Sequence, residues 1–113
     1  MKIHKFHLYY ADLNPQMRTE AGKIRPVVVI QTDLLNNVHP STLICPLTTE
    51  IHKQAKILRV HVSKAHSGLR EDSDILVDQI RGIDNRRFKS HIGELSREEK
   101  KKLLRSLEVL VLE

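Results

Sequence analysis

The residue best placed by its neighbours to handle a phosphate is Arg25. It precedes Pro26 and the run Val27-Val28-Val29-Ile30, whose continuous β-branched apolar character predicts a strand covered on both faces. On a two-residue period Arg25, Val27, Val29 and Gln31 share a face, so the strand end holds the guanidinium at the rim of a rigid sheet. A fixed cation of that kind suits phosphate chemistry, and a surface ion pair is the other reading. The polar loop 15–23 ends beside it and delivers Arg18, Glu20 and Lys23 to the same place. Thr48 is a second candidate. It follows Pro46 in Thr42-Leu-Ile-Cys-Pro-Leu-Thr-Thr49, where the proline predicts an edge or a bulge that re-aims the hydroxyl beside it; an ordinary β-favouring threonine is the alternative. Asp78 and Gln79 interrupt an apolar run, and a mid-strand carboxylate is either exposed or paired, first of all with an arginine.

The elements that must position these groups follow from pattern. Strands are expected over His7 to Leu13, around Val27 to Ile30, over Thr42 to Thr49, over Ile57 to Val62 and over Asp74 to Ile80. Asp33 to Ser41 reads as an irregular stretch. Arg81 to His91, with Arg81, Arg86, Arg87 and Lys89, reads as a basic loop or surface patch. Ser96-Arg97-Glu98-Glu99 is a capping box, and Leu103, Leu107, Leu110 and Val111 behind it form an apolar stripe expected to pack a helix on the sheet. The sum is one mainly β domain over 1–113, a small barrel of about five to seven strands with a C-terminal helix.

Composition narrows the chemistry. A chain of 113 residues can form a core without staples. Its single cysteine, Cys45, allows no internal disulfide and suits a reducing compartment. Lysine and arginine exceed aspartate and glutamate by 19 to 14, a formal +5 that permits an acidic partner. No stretch has signal-peptide or membrane-spanning character, which predicts a cytoplasmic protein. There is no phosphate loop, dinucleotide fingerprint, zinc-protease helix or nucleophile elbow. Apart from His4 and His7, the histidines have no ligand spacing. Phe6, Tyr9 and Tyr10 are the only aromatic cluster, too few for a base-stacking platform.

Four collinear segments resemble the MazF/PemK toxin family. They are Asp12-Leu-Asn-Pro15, Glu20-x-Gly-x-x-Arg25-Pro-Val-Val-Val-Ile-Gln-Thr-Asp33, Pro46-Leu-Thr48-Thr49 and Asp72-Ser-x-x-x-x-Asp78-Gln79-Ile-Arg81-x-Ile-Asp84. The resemblance implies an SH3-like barrel and a dimer whose groove takes single-stranded RNA. It implies a toxin of a toxin–antitoxin pair: a metal-independent, sequence-specific endoribonuclease needing no cofactor, held by an antitoxin with an acidic tail. By the same resemblance Arg25 and Thr48 are the catalytic pair of the MazF branch. Glu20 is the more natural proton acceptor, since a guanidinium keeps its proton near neutrality. Lys23, Thr49, Asp78, Gln79 and Arg81 are then the substrate-binding positions. The sequence departs from the family at Phe6-His7, where most members have Gly-Asp, and at Arg18, where most have glycine. The histidine and arginine used by the PemK branch match Thr19 and Leu76 here, so the MazF branch fits better. The alternatives on the same barrel are a gyrase poison like CcdB, whose Trp-Gly-Ile ending this chain lacks, and a non-catalytic nucleic-acid-binding module.

Overall fold

A computed structural model describes residues 1–14, 23–51 and 58–113. The elements in order are β1 (His7–Asp12), β2 (Ile24–Val29), β3 (Ser41–Thr48), β4 (Arg59–Val62), α1 (Lys64–Ser67), β5 (Ser73–Leu76), β6 (Arg81–Asp84), β7 (Phe88–Glu94) and α2 (Arg97–Leu112), with 3-10 turns at Val77–Gln79 and Asn85–Arg87. Every strand pair is antiparallel. The sheet runs β4-β5-β3-β2-β1-β7, with β6 also on β3. This is the expected mainly β architecture with a terminal helix. The sheet is not a closed barrel, because no ladder joins β4 to β7 among the described residues.

α1 follows β4 and lies against β7. Its Ser67 and the following Gly68 press on β7 so closely that a Cβ at Gly93 would run into the Ser67 carbonyl oxygen. Gly68 itself sits at φ 88, the left-handed cap that ends α1.

β3 is the pivot. Along one side it pairs with β2, Val27 opposite Pro46 and Val29 opposite Ile44. Along the other it pairs with β6 over Ser41 to Ile44, then with β5 from Leu47. Pro46 therefore occupies the gap between two successive partners, where a missing amide costs no ladder bond. The proline marks an exchange of partners inside the sheet rather than its edge. The same exchange corrects the strand expected over Asp74 to Ile80. The chain turns at Val77–Gln79 to pass from β5 to β6. Arg81 to His91 is likewise not a loop, since it holds β6 and the start of β7, with Ile83 and Phe88 buried.

Alternation sends side chains to two cores. Leu8, Val28, Cys45, Leu47, Val60, Val62, Ile75 and Val77 pack on one face with Leu103 of α2. Tyr9, Ala11, Val27, Val29, Ile44, Ile83 and Phe88 pack on the other. Each buried aliphatic side chain stabilises the fold by about 1.5 to 3 kcal/mol before entropy is counted. The capping box forms as expected, with the Glu99 amide donating to Ser96 Oγ (3.2 Å) and the Ser96 amide to Glu99 Oε1 (2.8 Å). Leu103 is buried and Leu107 half-buried, but Leu110 and Val111 are exposed, so the apolar stripe packs only along its first half. Among the described residues no helix is long and apolar enough to cross a membrane.

Candidate functional site

Val27 faces Pro46 at the end of the β2–β3 ladder, and Arg25 on β2 and Thr48 on β3 each lie two residues beyond that pair. Partners opposite one another in an antiparallel pair project to the same face with Cβ atoms about 5 Å apart. The half-buried Arg25 reaches across, its Nη1 donating to the Leu47 carbonyl at 3.4 Å. Thr48 Oγ1 accepts the Glu50 amide at 3.2 Å, which fixes the hydroxyl at the strand end. A guanidinium and a hydroxyl are thus held side by side at the mouth of the molecule, a pairing suited to gripping the non-bridging oxygens of a phosphate.

Lys23 is exposed immediately before β2, at φ 66. Its amide donates to Asn14 Oδ1 (2.9 Å), and its carbonyl accepts the Leu13 amide (2.8 Å). Arg87 closes the base of the loop by donating to the carbonyls of Asp12 (2.9 Å) and Asn14. Glu20 and the rest of that loop lie outside the described residues. Thr49 is exposed next to Thr48.

Asp78 and Gln79 lie not on a strand but on the 3-10 turn at the β3 partner exchange, Asp78 exposed and Gln79 half-buried. Arg81 faces Ile44, on the same face as Thr48 but four residues along β3, about 13 Å at strand rise. Its Nη1 is buried with no hydrogen-bond partner among the described residues, a condition that native proteins rarely leave without a use. The other expected basic groups are occupied elsewhere. Arg86 grips Asp84 (2.8 Å), whose carboxyl is held down at about 2 chiefly by that hydrogen bond, and Arg87 is the loop clamp. Arg86 remains 91% exposed and Lys89 is exposed as well, so this segment keeps basic groups at the surface.

The register carries the polar row further than the sequence discloses. Thr48 faces Asp74 on β5, and Asp74 faces His61 on β4. Thr48, Asp74 and His61 therefore line up across three strands. Asp74 is 2 % exposed, 3.5 Å from Arg59 Nη1 and 3.4 Å from His61 Nδ1. Arg59 also donates to the Glu50 carbonyl at 2.5 Å, tying β4 to the end of β3. The sequence signal for these residues is only the alternation of Arg59 and His61 against Val60 and Val62.

Two other reactive groups lie off this row. Cys45 is buried in the first core, and that burial, then the charge of Asp78, pushes its thiol up to about 12. His7 Nδ1 and His91 Nε2 are 3.0 Å apart with His4 stacked nearby, and no group of three or more ligands is arranged for a metal among the described residues.

An open antiparallel sheet with a capped terminal helix, presenting an arginine and a threonine from adjacent strands at one rim, defines a small mainly β protein. Comparison with known proteins narrows the class. The family described as PemK-like, MazF-like toxin of type II toxin-antitoxin system matches residues 4–111, and the chain belongs to that family. It is 34% identical over 109 residues, 96% of this chain and 94% of the relative, to Endoribonuclease EndoA of Bacillus subtilis (strain 168). Against Endoribonuclease MazF of Staphylococcus saprophyticus the identity is 35% over 102 residues, covering 90% of this chain and 85% of the relative. The crystal structure of MazF from Deinococcus radiodurans superposes with a TM-score of 0.84 at 24% identity, covering 100% of this chain and 99% of that one. A MazE–MazF crystal structure from the same organism gives 0.77 at 20% identity, with 98% and 96% covered. At those identities the structural likeness bears on the fold.

Proposed function

We propose that this chain, read as one unit over 1–113, is a toxin that acts as a sequence-specific endoribonuclease on single-stranded RNA. The observation that supports the reading is the reach of Arg25 from β2 to the Leu47 carbonyl on β3, next to Thr48 at the strand end. Relatives named as endoribonucleases that cover nearly the whole chain support it.

In this mechanism the ribose 2′-hydroxyl attacks the adjacent phosphorus. The new 2′-O–P bond forms as the P–O5′ bond breaks, leaving a 2′,3′-cyclic phosphate and a free 5′-hydroxyl. Arg25 stabilises the charge that develops on the phosphate oxygens, an effect worth most when the donor is fixed before reaction. Thr48 donates its hydroxyl to a phosphate oxygen. Glu20 takes the 2′ proton, and a water molecule protonates the departing 5′ oxygen, the hydroxide it leaves taking up the proton from Glu20. Lys23, Thr49, Asp78, Gln79 and Arg81 contact the strand on either side.

The reaction needs no metal or cofactor, and it takes place in the cytoplasm, where mRNA is found. The working form is a homodimer, whose second chain covers the exposed Leu110, Val111 and Leu112 at the end of α2. An antitoxin with an acidic tail blocks the positive site, which the chain's +5 charge favours.

The test is incubation of the purified protein with a long mixed-sequence RNA in excess EDTA, followed by mapping of fragment ends. Discrete fragments with 5′-hydroxyl ends are expected. Intact RNA, with gyrase–DNA complexes trapped instead, would move the assignment to the gyrase-poison reading.

A further inference from the structure

The row that begins at Arg25 and Thr48 does not stop at β3. We infer that His61, positioned by Asp74, is a substrate contact that binds the phosphate flanking the cleaved linkage. The inference rests on the endoribonuclease reading and extends its site across β5 to β4.

Three observations support it. Thr48, Asp74 and His61 are successive cross-strand partners, so their side chains leave the same face of the sheet. Two strand spacings separate His61 from Thr48, about 10 Å, which places it beyond the reacting phosphate and within reach of the next. Asp74 is buried and contacts both Arg59 and His61, and a carboxylate taken out of water is retained at a cost that only fixed partners offset. Arg59 has a second bond, to the Glu50 carbonyl, and braces β4. The side chain of His61 remains 53% exposed with Nδ1 toward Asp74. Its other nitrogen, Nε2, is therefore turned away from the carboxylate. In the imidazolium form both nitrogens donate: Nδ1 to Asp74, Nε2 to a phosphate oxygen. Asp74 is a positioning residue, and it acts through His61.

The experiment uses an oligonucleotide containing the cleavage sequence with a 2′-deoxyribose at the cut position, which removes the nucleophile. Affinity is measured at about pH 6, where imidazoles carry charge, for wild type, His61→Ala, Asp74→Asn and the double variant. Neutral methylphosphonates replace the flanking phosphates one at a time. His61→Ala is expected to weaken binding about tenfold, as loss of one charge-assisted hydrogen bond does, and to reduce the log–log salt slope by about 0.7, one phosphate on a single strand. One flanking methylphosphonate should abolish the difference between His61→Ala and wild type. Asp74→Asn should weaken binding only while His61 is present, which a general loss of fold would not reproduce. Wild-type affinity and salt slope in His61→Ala, or an equal loss with every methylphosphonate, would overturn the inference while leaving the ribonuclease reading intact. If wild type neither binds nor cuts RNA, both fall together.

Discussion

The two ends of the β1–β2 pair follow opposite rules. At the end where β1 begins and β2 finishes, the amino-terminal segment 1–6 folds over the turn at 31–37, and polar groups there are answered inside the chain. Asn37 accepts the Ile3 amide (2.7 Å) and donates to the Ile3 carbonyl (2.8 Å). The buried Asn36 bonds Gln31 and Asp33, Asp33 takes the Lys5 amide, and the Tyr9 hydroxyl joins His4 to Lys2. At the other end Arg25, Lys23, Thr48 and Thr49 open outward. One end of the ribbon is closed by the amino-terminal segment, while the other carries the exposed Lys23 and Thr49 beside the half-buried Arg25 and Thr48. Substitutions at the two ends should therefore separate stability from activity.

The largest effect is expected at the open end. Arg25→Ala should slow RNA cleavage about a thousandfold or more, the scale of losing a fixed donor to a charged transition state, with a melting temperature near that of wild type. Loss of the fold in this variant would break the contrast. Thr48→Ala, which removes one hydroxyl donor, should cost about ten- to a hundredfold in single-turnover rate.

At the closed end the readout reverses. Asn36→Ala takes the side-chain donor from the Gln31 carbonyl and should lower stability by about 1 to 3 kcal/mol in urea unfolding, with the cleavage rate of the folded fraction unchanged.

A smaller effect is set by pH. Burial holds the His7 imidazole below its ordinary 6.5, with His4, His91 and Lys100 acting in the same direction and Glu94 opposing. A histidine depressed in the folded state binds its proton more readily when unfolded. Stability is thus full above about 6.5 and declines as pH falls through the folded value. The loss develops below about 6.5 and His7→Gln should flatten it. Cys45 should resist thiol reagents until the protein unfolds, because burial holds it as the neutral thiol.

How much of this was legible beforehand varies with the kind of information each residue holds. The capping box and the strand at Val27–Val29 are local facts of pattern, and both form as expected. The site candidates Arg25 and Thr48 could be singled out, each from its neighbouring proline. Their proximity could not be read, because it depends on the register of β2 on β3. Registers are long-range, so Asp74, one strand beyond Thr48, carried no local sign, and His61, two strands beyond, carried only the alternation of its strand. The strand expected through Asp78 and Gln79 failed because Val77 continues an apolar run while the chain is turning from one partner of β3 to the next. At Leu110 and Val111 the helical period was right, yet period reports which side of a helix is apolar and says nothing of where the sheet beneath it ends. Glu20 falls in 15–22, outside the described residues.

The most direct test of the central claim is a double-mutant cycle on Arg25 and Thr48, read as single-turnover cleavage of a short RNA containing the mapped cut site. If the two side chains grip one phosphate, the combined variant should lose little more than Arg25→Ala alone, as groups that act as a unit do, with all proteins equally folded. Cleavage that persists in the double variant at near the wild-type rate would contradict the account and place the reaction elsewhere on the molecule.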